Sequence, residues 1–191
     1  MDGADDRERL ILTTAAELFR DKGFHRAGMD ELGTRAGLSG PALYRHFAGK
    51  NEILAALFTE ALDELVGATA ALLPDPVDDL RRLVRHHVGF TVGHRALVTV
   101  YQREDRALVE PWRAEFGRRR RRYVQRWEAA VARAAPGAEP AAVAATTRCC
   151  LATIFSLAYW TPRLVGAPDA VEAAEEYVLR GAGLLGVELH G

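Results

Sequence analysis

The chain has 191 residues, 49% of them apolar, enough for one or two globular domains with a real core. Its formal net charge of −1 advertises no polyanion partner for the chain as a whole, so any nucleic-acid surface has to be local. Two adjacent cysteines, Cys149 and Cys150, exclude a disulfide framework, because neighbouring helical side chains point about 100° apart; they read as small buried hydrophobes, with a redox-sensing pair as the alternative.

The opening, "MDGADDRERL", is acidic and polar without an apolar core, so no secretory signal is expected and the protein is expected to stay in the cytoplasm. Apolar residues then recur at helical spacing (Ile11, Ala15, Leu18, Phe19), and alternating strand patterns are missing, which predicts an all-α chain. Gly23, Gly37 and Gly49 end three short helices. A fourth, from about Asn51 to Leu73, is much longer and stops at "PDP", Pro74 to Pro76. It makes a natural connector, so residues 1–50 are expected to form one domain and 51–191 a second, with 51–73 as the connecting helix.

Further helices are expected over Val77 to Gly93, Ala96 to Arg106, and from Pro111 to the break "APGAEP". Pro140 opens a very apolar helix that Pro162 ends, and Asp169 caps a last one running to about Val187, making nine in all. The stretch Ala141 to Trp160 is barely long enough to span a bilayer and carries Arg148 with several Thr and Ser residues, so a buried helix is the better reading.

"MDELGTRAGLSGPALYRHF" has the layout of a helix-turn-helix: Leu32 and Ala36 face inward, Gly37 turns the chain, and Leu43 and Phe47 line the second helix. Ser39 caps that helix, and Gly40 and Pro41 keep its tip slim enough to enter a major groove with its free amides and positive dipole end toward phosphate. Tyr44, Arg45 and His46 supply donors and a ring on the outer face, and Lys50 heads the next helix as a phosphate contact. From Arg20 to Lys50 six basic residues face three acidic ones, a local excess the acidic amino terminus hides. Spacing alone also allows a helical hairpin whose polar residues are only solvated.

The segment "ILTTAAELFRDKGFHRAGMDELGTRAGLSGPALYRHFAGKNEILAALF", Ile11 to Phe58, resembles the DNA-binding domain of TetR-family repressors. The resemblance implies a homodimeric, ligand-relieved transcriptional regulator: an N-terminal helix-turn-helix domain followed by a helical ligand-binding and dimerisation domain. It puts Gly40, Pro41, Ala42, Tyr44, Arg45 and His46 at recognition-helix positions and Lys50 at a backbone-contacting lysine. Gly28 stands where the family has a Ser or Thr cap, which leaves its backbone N–H as the phosphate contact, and Gly33 stands where Ala is usual, at a helix cost of about 1 kcal/mol. With Gly40 and Ala42 unable to hydrogen-bond bases, base reading falls on Arg45 and Tyr44, with Ala42 available for a thymine methyl.

In "PWRAEFGRRRRRYVQRW", Trp112, Phe116, Tyr123 and Trp127 form one helical stripe flanked by Arg119 and Arg120. Either the two arginines snorkel to water or they meet an anionic ligand beside an apolar pocket. "HRALVTVYQREDRAL", which contains Tyr101, resembles the same region in TetR-family regulators that respond to acyl-CoA thioesters, which implies an acyl chain among the helices after Pro76 and CoA phosphates near Arg119, Arg120 or Arg122. His87 and His94 lie two turns apart, too far to share an ion, so no metal is expected, nor any cofactor. No catalytic constellation appears, so no enzyme is expected. The last two helices carry more apolar surface than one subunit covers, including the stripe Ala170, Ala173, Ala174, Tyr177, Gly181, and the resemblance implies that they pair in a two-fold four-helix bundle. The expected partners are a near-palindromic operator, a small-molecule effector and a second copy, without a membrane. The competing reading is an all-α lipid or cofactor carrier that keeps this architecture without specific DNA binding.

Overall fold

The computed structural model describes residues 2–166 and 169–182, and among them every regular element is helical. The helices are α1 (Asp2–Lys22), α2 (Met29–Arg35), α3 (Gly40–Tyr44), α4 (Lys50–Thr69), α5 (Pro76–Gly93), α6 (Arg95–Glu104), α7 (Trp112–Ala134), α8 (Pro140–Ser156), α9 (Pro162–Val165) and α10 (Ala170–Gly181). Short 3-10 turns follow α6 and α8.

Among the described residues ten helices stand where nine are expected, and Pro162 is the reason. It begins a helix as well as ending one: Thr161 Oγ1 accepts from the Leu164 amide at 3.3 Å, and proline at the first position forfeits no intrahelical bond. The last helix is described only to Gly181, so the expected extension to Val187 lies outside the described residues.

The chain divides into two compact units. One holds the residues up to Leu62 together with Ala96–Gly117, the other Asp63–Arg95 together with the residues from Arg118 onward. The first unit thus reaches past residue 50, because three short helices cannot enclose a core alone. Ile53, Leu54 and Phe58 of α4, Val100 of α6 and Leu108 close over Ile11, Leu18, Phe24, Leu32 and Leu43. At roughly 25 cal/mol per Å², such side chains contribute about 1.5–3 kcal/mol each when fully buried.

The second unit is built on α5, which packs against α10 and α8 and buries Leu80, Leu83, Val84 and Val88. Asp75 caps α5 by accepting from the Asp78 amide at 2.8 Å, and Pro76 follows at the first position. Residues Pro140–Tyr159 have a mean hydropathy of 1.5 and the length to cross a membrane, but Val143, Cys150 and Ile154 of this stretch are buried inside the second unit. Burial pushes the Cys150 thiol up to about 11, helped by neighbouring Cys149, so Cys150 behaves as the small hydrophobe its position requires.

Candidate nucleic-acid interface and ligand core

The turn between α2 and α3 is set by two glycines. Gly37 takes φ +66°, a conformation that strains any residue with a Cβ. Gly33 lies where an added Cβ would meet Leu38 O at 3.1 Å, and its own carbonyl accepts from the Leu38 amide at 2.8 Å. The glycine that weakens α2 by propensity therefore lets the turn close tightly.

Ser39 Oγ accepts from the Ala42 amide at 3.4 Å and caps α3, with Pro41 in the first turn. Leu43 and Phe47 are buried and seat the helix, while Pro41, Tyr44 and Arg45 are exposed and Gly40 and Ala42 partly so; Tyr44 is 53% accessible. His46 is half-buried, its Nδ1 3.6 Å from a Glu8 carboxylate oxygen, so it leans toward α1. Gly28 is the exposed, extended N-cap of α2, with no side-chain bond at that end.

Local charge is more heavily paired than the sequence implies. Arg20 meets Asp21 at 2.9 Å, Lys22 meets Glu31 at 2.8 Å, and Arg35 meets Glu31 at 3.0 Å. Lys22, with Arg35 beside it, holds the Glu31 carboxyl below the usual carboxylate range. Arg26 and Arg45 are exposed and, among the described residues, carry no ion pair.

Lys50 is turned back onto the segment before α2. Its Nζ donates to the carbonyls of Phe24, His25 and Ala27 at 3.0, 2.9 and 3.3 Å and lies 4.9 Å from the centre of the Phe24 ring. An ammonium has three donors, and all three are used. A second tie holds the same turn: the Phe24 amide donates to Glu104 Oε1, at the end of α6, at 3.1 Å. Neither pairing is visible in the sequence, since 23–26 and 80 residues separate the partners.

The aromatic stripe of α7 is shared between the two units. In the first, Phe116 lies 5.5 Å from Phe58 and 6.0 Å from Tyr101, while Trp112 is exposed. In the second, Tyr123 and Trp127 are buried around His87, with ring centres 5.7 and 5.8 Å away, and Phe155 at 5.2 Å closes the group. Burial drives the His87 pKa down to about 3 and the Tyr123 phenol up to about 12, so both are neutral at ordinary pH.

Arg119 forms an ion pair with Asp63, and Arg120 is exposed. The arginines that converge come later on α7: Arg126 and Arg133 reach fully buried Asp79 at 2.7 and 2.9 Å, joined by Arg82 at 3.3 Å and the Leu73 amide at 3.2 Å. Burial alone would raise the Asp79 carboxyl. The Arg126 and Leu73 hydrogen bonds and the two arginine charges outweigh it and hold the group below its ordinary range.

Two family models cover most of this architecture. Residues 11–57 match the model of bacterial regulatory proteins of the tetR family, and residues 74–178 match a tetracyclin repressor-like C-terminal domain. The chain belongs to the TetR family. Over 79 residues, 41% of its length, this TetR-family regulator is 42% identical to the transcriptional activator FasR of Mycolicibacterium smegmatis, of which the match covers 36%. It is 27% identical over 119 residues to the repressor KstR2 of Mycobacterium tuberculosis, covering 59% of this chain and 58% of that one. The chain thus spans between about one third and three fifths of these curated relatives in sequence. In structure, the regulator PfmR of Thermus thermophilus superposes with a TM-score of 0.77 over 92% of this chain and 98% of its own, at 29% identity. These relatives are regulators of transcription, and the carrier reading is not favoured.

Proposed function

We propose that this TetR-family regulator is a homodimeric, cytoplasmic repressor, without catalytic activity, that leaves a near-palindromic operator when a small molecule enters its second unit. The observation that carries the DNA half is the tip of α3: a capped, slim helix end seated by Leu43 and Phe47, with Tyr44 and Arg45 turned outward. Arg45 and Tyr44 read base edges, the Gly28 amide meets the backbone, and Ala42 contacts a thymine methyl. Lys50 acts as the residue that positions the turn before α2, which makes its phosphate role secondary.

Dimerisation is supported by the exposed side of α8 and α10. Small residues Ala141, Ala145, Cys149 and Ala152 run along one, and Ala173 and Gly181 along the other, with Tyr177, 69% accessible, between them. Such stripes allow close helix approach across a two-fold axis, which would set two α3 tips about 34 Å apart or a multiple of that turn. The anion-binding role read into the arginine run has less support, because Arg119 is committed to Asp63. Selection of binding sites from a random duplex pool is expected to return two inverted half-sites whose centres are a whole number of helical turns apart, and the free protein is expected to sediment as a dimer at micromolar concentration. A single half-site from a monomeric protein would overturn the two-fold reading.

A further inference from the structure

Among the described residues, three helical threonines satisfy their own hydroxyls within the helix. Thr14, Thr34 and Thr69 donate to the carbonyls of Leu10, Asp30 and Leu65, four residues back. Thr91 and Thr147 do not: both are fully buried in the second unit, and neither hydroxyl has a partner. One turn before Thr91, on the same face of α5, His87 is 1% accessible and its Nε2 is equally unpaired. Its Nδ1 is occupied, 3.3 Å from the Tyr123 hydroxyl, so Nε2 is the atom left over.

Buried polar atoms without partners are uncommon, and two on one helical face, walled by Tyr123, Trp127 and Phe155, form a pattern that core packing does not require. Valine and phenylalanine would fill the same space without the cost. The surroundings also restrict the charge of what could sit there. The His87 ring is neutral, and the rings around it, Tyr123, Trp127 and Phe155, carry no charge.

We propose that His87 Nε2 and Thr91 Oγ1 are the polar contacts of an effector site in the second unit, and that its ligand is an uncharged, lipid-like molecule bearing a hydroxyl or carbonyl group. This assignment rests on the effector reading above and deepens it. A hydroxyl group suits either tautomer of His87, since it both donates and accepts, and a carbonyl suits the form with the proton on Nε2. Against a charged amphiphile stands the cost of burying a carboxylate or phosphate beside a neutral ring. Thr147, on α8, offers a third hydroxyl in the same unit.

The test titrates the full-length chain with four ten-carbon probes: decan-2-one, decan-1-ol, decane and decanoyl-CoA. Binding is followed by tryptophan fluorescence, for which Trp127 is a local reporter, and by the shift in Tm. The ketone and the alcohol are expected to bind about tenfold more tightly than decane, and this preference is expected to shrink to within about twofold in His87→Phe/Thr91→Val. Thr91→Val alone, which changes shape least, is expected to lose part of it while folding normally. Equal binding of ketone and alkane, unchanged preference in Thr91→Val, stronger binding of decanoyl-CoA, or no binding of any probe overturns the assignment. The effector-free protein's affinity for its selected duplex is measured in parallel and fails only if the regulator reading itself is wrong.

Discussion

Arg45→Ala is expected to lower affinity for the selected operator by about 1–3 kcal/mol per half-site, roughly 5- to 150-fold, with no change in Tm. The stability half follows from exposure: Arg45 packs on nothing in the core and carries no ion pair among the described residues. The affinity half follows from what its neighbours lack. Gly40 has no side chain and Ala42 only a methyl, so a bidentate guanidinium is the strongest base-reading group that this tip presents. The loss should also relax specificity. Affinity for a shuffled duplex should change much less, whereas a residue that only meets phosphate would weaken both duplexes alike. Binding titrations of both duplexes, with the melting curve as control, separate these outcomes.

Asp79→Ala is expected to destabilise the second unit by about 3–5 kcal/mol, read from urea unfolding. One buried carboxylate holds Arg82, Arg126 and Arg133 and the Leu73 amide, and removing it leaves like charges facing one another. Arg133 also donates to the carbonyls of Leu73 and Pro74 at 2.8 and 3.2 Å, so the α4–α5 loop loses its anchor at the same time. Asp79→Asn keeps the shape and should recover little, because the charge is what the arginines need. The pH dependence carries a matching signature. The folded carboxyl lies below its ordinary value of 3.8, so its stabilisation is complete above that pH and is lost as pH falls through the lower folded value. The acid limb of the stability profile should therefore be flatter in Asp79→Ala than in the wild type. A profile of unchanged slope would mean that Asp79 titrates alike in both states.

What the sequence revealed and what it hid divide by range. The α3 tip was legible because everything that makes it is local: Gly37 for the left-handed turn, Ser39 for the cap, Pro41 for the first turn, Leu43 and Phe47 for the seat. Period and punctuation carried the helices, except where Pro162 both stops and starts one. The buried chemistry of the second unit was not legible. Asp79 reads as the second of two acids at a helix start, and only folding brings Arg126 and Arg133, 47 and 54 residues on, against it. The α7 stripe looks continuous on a helical wheel, yet Phe116 and Tyr123 serve different units, which a wheel cannot display. Lys50 shows the same limit: a cationic residue at a helix start suggests phosphate, and only the fold reveals three carbonyls converging on it.

Sequence-specific DNA binding by the α3 tips of a dimer is tested by titrating the full chain, by fluorescence anisotropy, with the selected duplex and a shuffled duplex of the same composition over a salt series. A preference of about 10³-fold or more for the selected duplex is expected near physiological salt, with a log Kd that rises linearly with log salt by about 0.9 per phosphate neutralised. Equal affinity for the two duplexes at every salt concentration would contradict it.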